Sequence, residues 1–171
     1  MSAKTPWQGK WLAIRTQGPW EYCERVGGIA AAVIVANEDG HILLIEQHRV
    51  PVGGPCLELP AGLVGDDRAG ETIERAAARE LEEETGYRPA SVQRLGTFYA
   101  SPGMTSETFE LVRATGLTQV AGGGGIGDED IRVHRVALAD LPAFVEGRRA
   151  AGVAVDAKML LVLSAALLAT K

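Results

Sequence analysis

One stretch limits the fold more than any other: Glu71-Thr72-Ile73-Glu74-Arg75-Ala76-Ala77-Ala78-Arg79-Glu80-Leu81-Glu82-Glu83-Glu84-Thr85-Gly86-Tyr87. Ala, Leu, Glu and Arg favour helix, Pro is absent, and Gly86 stands where helices stop on a left-handed residue. The stretch reads as one helix of about four turns. At about 100° per residue, Ile73, Ala77 and Leu81 share one side, and Glu80 and Glu84 fall on that same side. Glu83 lies one i,i+3 step from Glu80, while Arg75, Arg79 and Glu82 turn outward. The carboxylates therefore border the core, where their repulsion is poorly screened, and something positive must sit among them.

An acidic helix is ordinarily a solvated face. Here the apolar and acidic sides overlap, and oxygen-only ligands of high negative charge suit Mg²⁺ or Mn²⁺ rather than zinc. The same residues resemble the Nudix box: Gly, five residues, Glu, seven residues, then Arg-Glu-apolar-any-Glu-Glu-any-Gly-apolar. Gly65, Glu71, Arg79, Glu80, Leu81, Glu83, Glu84, Gly86 and Tyr87 fill it, with Tyr87 a looser fit than an aliphatic residue. In relatives of the ADP-ribose branch the first glycine follows Pro-Ala, as Gly62 does in Leu59-Pro60-Ala61-Gly62. We take Gly62 as the structural equivalent, which leaves three extra residues before Glu71.

The resemblance implies an α/β (α+β) fold: an αβα sandwich around a mixed central sheet, with a small antiparallel hairpin or sheet at the N-terminus. Residues 1–28 would form that hairpin, touching substrate and a dimer partner, and 29–171 the hydrolase domain, within one structural domain overall. At 171 residues, 46% of them hydrophobic, one core is ample. A net charge of −5 argues against a nucleic-acid binder. Cys23 and Cys56 lack CxxC spacing, and no signal peptide is visible, so a cytoplasmic protein with reduced thiols is expected. The apolar run from Met159 to Ala169 is too short to span a bilayer and reads as a core or dimer helix.

Trp11 to Thr16 and Trp20 to Val26, around Gly18-Pro19, read as a hairpin that must pack on something. By resemblance Trp20 is the candidate stacking platform for a base; the alternative is that Trp7, Trp11 and Trp20 are all structural. Ile29 to Ala36 and Ile42 to Gln47 read as strands joined through Asp39-Gly40. Arg49, at a strand end before a Pro- and Gly-rich loop, suits bidentate phosphate contact. The alternative is an ion pair with a neighbour such as Glu46. Cys56 to Leu59 reads as a short strand, Val92 to Ala100 and Glu107 to Ala114 as two more, and Ile131 to Ala137 as another. Ala139 to Arg149 and Asp156 to Thr170 read as closing helices, the second apolar almost all round.

By resemblance the Ala61 carbonyl completes a metal shell with Glu80, Glu83 and Glu84, and Glu58 organises the site. Ser101-Pro102-Gly103, with Pro102 sixteen positions beyond Gly86, resembles the signature of ADP-ribose and sugar-nucleotide pyrophosphatases. Gly122 to Gly125 lacks the Gly-Lys-Ser/Thr of a P-loop and reads as a mobile loop. Glu129 beyond it is the candidate general base, with Glu107 and Asp128 as rivals, and Glu83 serves that role in some relatives. Arg79 would hold the helix glutamates in place. The expected reaction is Mg²⁺-dependent hydrolysis of a nucleoside diphosphate derivative, ADP-ribose first, giving AMP and ribose 5-phosphate. GDP-mannose or another nucleotide sugar is the alternative substrate, and a nucleotide-sensing module without catalysis the competing class. A homodimer is expected, with neither nucleic acid nor membrane as partner.

Overall fold

The computed structural model describes residues 2–28, 30–64, 70–127 and 129–168. It opens with three antiparallel strands, β1 (Lys4–Gln8), β2 (Leu12–Gln17) and β3 (Trp20–Arg25), in the order β1-β2-β3. The expected hairpin is thus β2 and β3. β1 adds a third strand that sequence reasoning missed, because all five of its residues are exposed and carry no burial pattern.

Next come β4 (Ala31–Glu38), β5 (His41–Arg49), β6 (Gly54–Glu58) and β7 (Ala61–Leu63), then α1 (Ile73–Thr85). β8 (Tyr87–Arg88), β9 (Ser91–Tyr99), β10 (Thr108–Thr115), β11 (Thr118–Gln119) and β12 (Arg132–Ala137) follow. The chain closes with α2 (Leu141–Ala150), β13 (Ala154–Val155), a 3-10 turn at Ala157–Met159 and α3 (Leu160–Leu168). The long final helix expected from Asp156 begins instead with that tight turn, because the Asp156 side chain accepts the Lys158 N–H and caps it.

The central sheet is mixed, in the order β13-β6-β5-β4-β10-β9, with β12 on β5 and β7 on β4. β10 runs parallel to β4 and β13 parallel to β6; the other pairs are antiparallel. Asp39 (φ 48°) and Gly40 (φ 70°) make the tight turn that the Asp-Gly pair calls for. Beyond it β4 and β5 pair only at Asn37–Ile42 and Glu38–His41. They then part, and β4 takes β7 as its partner, Ala32 opposite Gly62. This parting brings the Pro60-Ala61-Gly62 segment under α1.

Alternation along β4 serves two cores. Ala32, Ile34 and Ala36 face α1 through Ala77 and Leu81, and Val33 faces α2 and α3 with Leu57, Leu141 and Met159. The layers are therefore α1, sheet, and α2 with α3: the αβα sandwich. Each fully buried Leu or Ile here contributes about 2 kcal/mol. Among the described residues no helix is long and apolar enough to cross a membrane.

Candidate active site

α1 is shorter than the stretch that suggested it. Thr72 caps it, accepting the Arg75 N–H, and Gly86 (φ 77°) ends it, its N–H donating to the Glu82 carbonyl. Glu71 lies before the first turn and Tyr87 begins β8. Arg79 does not turn outward as expected. It lies along the helix, its side chain 14% exposed, between Glu71 (3.2 Å), Glu80 (2.8 Å) and Glu83 (3.0 Å). The positive group that the crowded carboxylates require is carried by the helix itself, and those contacts hold the guanidinium firmly charged.

Glu84 is 6% exposed, and its Oε2 accepts the Ala61 N–H at 3.0 Å. Burial pushes its carboxyl up to about 8, the nearby Glu80 and Glu129 charges add to the shift, and the Ala61 N–H and Arg49 oppose it. Glu80 lies against the Gly62 backbone so closely that a Cβ on Gly62 would collide with its carboxyl group. Gly62 is thus a position where this approach admits only glycine, and Gly65 lies outside the described residues.

Among the described residues no group of three or more His, Cys, Asp or Glu side chains is gathered as a ready-made metal cage. Arg79 draws Glu80 and Glu83 to itself, and Ala61 holds Glu84. The donor set nevertheless fits a hard cation. A buried carboxylate surrounded by further carboxylates binds protons too tightly for an ordinary Glu, and a divalent ion relieves the same excess of negative charge.

The glycine run from Gly122 to Gly125 is anchored, not mobile as composition suggested. Gly124 N–H donates to the Glu84 carbonyl (2.9 Å) and Gly125 N–H to the Glu83 carbonyl (3.1 Å), pairing carbonyls that the end of α1 leaves open. A Cβ on Gly123 would collide with the backbone of Thr85, so only glycine admits this approach. The loop brings Glu129 to the helix end, where its Oε2 accepts the Ile126 N–H at 2.9 Å and its charge acts on Glu84. Of the rivals, Glu107 is held by Arg25 (2.6 Å), and Asp128 lies outside the described residues.

Beside the carboxylates opens a cleft of about 570 Å³, with Arg25, Arg49, Glu58, Ala61, Glu107 and Lys158 in its wall. Arg49 does not pair with Glu46. It makes a two-pronged contact with Glu58, 2.7 Å on each arm, while Glu46 takes Arg148 from α2. Sequence reasoning missed Arg25, whose guanidinium meets Glu107 inside the cleft. Its signal was present: an arginine at the end of the strand that begins with Trp20.

Trp20, Pro102 and Gly103 meet elsewhere, in a hollow of about 370 Å³ shared with Tyr22 and Tyr99. The hollow and the cleft share no lining residue, and β3 is tied to the turn that carries Pro102 by the backbone: Cys23 N–H donates to the Met104 carbonyl and Ser106 N–H to the Cys23 carbonyl. Ser101 does not line the hollow; its carbonyl accepts the Met104 and Thr105 N–H groups that form the turn. Trp7, Trp11 and Trp20 are 56%, 57% and 60% exposed, so none is a core residue.

The model of the NUDIX domain matches residues 27–158. An ADP-ribose pyrophosphatase of Bacillus subtilis is 35% identical over 120 residues, 70% of this chain and 63% of the relative. One from Saccharomyces cerevisiae is 44% identical over 90 residues, 51% of this chain and 38% of its own length. A mouse ADP-sugar pyrophosphatase is 42% identical over 74 residues, 43% of this chain and 33% of its own. The chain thus spans about a third to two thirds of these relatives. Among solved structures, an ADP compounds hydrolase superposes with a TM-score of 0.68 at 23% identity, over 85% of this chain and 81% of that one, which shows the shared fold.

Proposed function

The chain belongs to the Nudix family, and we propose that it hydrolyses the diphosphate of a nucleoside diphosphate derivative, ADP-ribose first, with Mg²⁺ bound at α1. The observation that carries this reading is the buried Glu84, on which the Glu80 and Glu129 charges act and which Arg49 opposes. Names of relatives support the substrate class: ADP-ribose and ADP-sugar pyrophosphatases.

Glu80, Glu83, Glu84 and the Ala61 carbonyl would hold the ion, with Mn²⁺ as a substitute for Mg²⁺. A bound divalent ion neutralises anhydride oxygens and lowers the pKa of water. Arg49 offers the diphosphate oxygens the donors of its planar fork that Glu58 does not use, and Glu58 keeps it aimed. Glu129, reached by water at its exposed carboxylate, takes a proton from the attacking water, a contribution of about 10²–10⁴-fold. Glu83 is the other candidate for that step. One water adds across the P–O–P linkage, so ADP-ribose yields AMP and ribose 5-phosphate. Trp20 would stack on the base, with Pro102 and Gly103 as the facing wall of the hollow and Ser101 fixing their turn. Arg79 positions the helix carboxylates and does not touch substrate.

The chain would act as a homodimer in the cytoplasm. The N-terminal sheet exposes Trp7, Trp11 and Trp20, and β9 exposes Leu95, Phe98 and Tyr99, apolar surface of the kind a subunit contact covers. The test is a panel of ADP-ribose, GDP-mannose, other nucleotide sugars and nucleoside triphosphates, incubated with Mg²⁺ and the products separated. AMP and ribose 5-phosphate are expected from ADP-ribose. Consumption of a triphosphate with ADP-ribose untouched would overturn the substrate.

A further inference from the structure

The cleft crosses the sheet in the order of its strands. At one end stand Arg25 and Glu107; in the middle stand Arg49, Glu58 and Ala61. Asp156 and Lys158 stand at the other end, beyond β6. β13 puts them there by pairing with β6, Ala154 opposite Cys56 and Val155 opposite Leu57, and the Asp156 N–H continues the ladder to the Leu57 carbonyl at 3.0 Å. A nucleotide with its diphosphate at Arg49 and its nucleoside toward Arg25 therefore points its remaining group at Asp156 and Lys158.

Asp156 Oδ1 accepts the Lys158 N–H and Oδ2 accepts Lys158 Nζ, each at 2.7 Å. This contact uses one of three ammonium donors and leaves lone pairs on the carboxylate, so the pair presents donor and acceptor side by side. A sugar hydroxyl both donates and accepts and satisfies both halves. A phosphate only accepts, and it meets Asp156 as a like charge.

We propose that the Asp156–Lys158 pair is a specificity determinant that reads the group attached beyond the diphosphate, selecting a polyhydroxylated, glycosyl-type group over further phosphate. This rests on the reading of the chain as a hydrolase of nucleoside diphosphate derivatives. Asp156 also caps the 3-10 turn. A cap alone would leave the preference among ligands unmoved.

The test compares full-length wild type, Lys158→Met, Lys158→Arg and Asp156→Asn, the last retaining an acceptor for the Lys158 N–H. KM is measured for ADP-ribose, and Ki for ADP and ATP as competitors. Lys158→Met is expected to raise KM for ADP-ribose about tenfold more than Ki for ADP, and Lys158→Arg to recover most of that loss. Asp156→Asn is expected to tighten ATP several-fold relative to ADP-ribose. Equal changes for all three nucleotides, or none, overturn the proposal. Melting curves identify a variant that fails to fold, and Lys158→Gln then takes its place. If wild type cleaves no nucleotide, the hydrolase reading falls. Calorimetric titration of ADP-ribose and ADP into the same proteins then decides the specificity alone: a loss confined to ADP-ribose in Lys158→Met upholds it, and equal losses overturn it.

Discussion

At the scale of single residues, Gly62, Glu84 and Cys56 make the account testable. A Cβ on Gly62 would collide with the Glu80 carboxyl, so Gly62→Ala must swing this carboxylate, a proposed metal ligand, away. Its kcat is expected to fall at least about a hundredfold while the melting temperature moves by only a few degrees. Glu84→Gln removes a carboxyl whose burial makes it take up a proton on folding, at a cost to the fold. Without Mg²⁺ the variant is expected to melt at or above the wild-type temperature, yet to lose turnover by orders of magnitude. Burial and the neighbouring Glu58 push the Cys56 thiol up to about 11. A raised thiol pKa means the proton stays on, so at pH 8 the thiolate is scarce, and alkylation followed by mass spectrometry should leave Cys56 unmodified in the native chain. Rapid native labelling of Cys56 would show that its environment is misjudged. The helix carboxylates were legible from spacing, whereas Gly62 came from the family resemblance, since the spacing itself is filled by Gly65. The Arg49–Glu58 contact was not, because it depends on how β5 and β6 pair, and Glu46 was merely the nearer neighbour in sequence.

Elements carry the next layer. α1 was legible because its caps and its apolar stripe are local, and only its true ends, at Ile73 and Thr85, needed the structure. The glycine run was misread because composition records freedom, while its role comes from carbonyls of Glu83 and Glu84 about forty residues earlier that need donors. Gly123→Ala would collide with Thr85 and force φ 68° on a side chain, so a loss of about 2 kcal/mol in urea unfolding is expected, together with reduced turnover as Glu129 shifts. Unchanged stability would mean the loop does not clamp the helix. On the opposite face α2 is pinned by Arg148 to the buried Glu46, with His134 beside it at 3.4 Å. Burial lowers the His134 pKa from its ordinary value, so the unfolded chain takes a proton that the folded chain refuses. Stability therefore falls as pH drops through 6.5 toward the folded pKa. His134→Gln should flatten that part of the pH–stability curve, and an unaltered slope would assign it to other groups.

For the whole molecule, the sandwich and its mixed sheet followed from periodicity together with the family resemblance, whereas the third N-terminal strand and the short pairs β8 with β11 and β13 with β6 were invisible. Those elements are two to five residues long and mostly exposed, so no burial pattern marks them. The site is assembled from distant pieces: α1, the β6–β7 segment, the glycine loop and the Arg25–Glu107 contact between the N-terminal sheet and the cleft. Sedimentation velocity at rising concentration is expected to show a dimer, and a monomer at all concentrations would leave the exposed tryptophans without that explanation. The central claim is that the α1 carboxylates bind a divalent cation. Its most direct test is equilibrium titration of Mn²⁺, followed by electron paramagnetic resonance of the free ion, against wild type and Glu84→Gln. Wild type is expected to deplete the free signal and Glu84→Gln to leave most of it; equal depletion by both proteins would contradict the assignment.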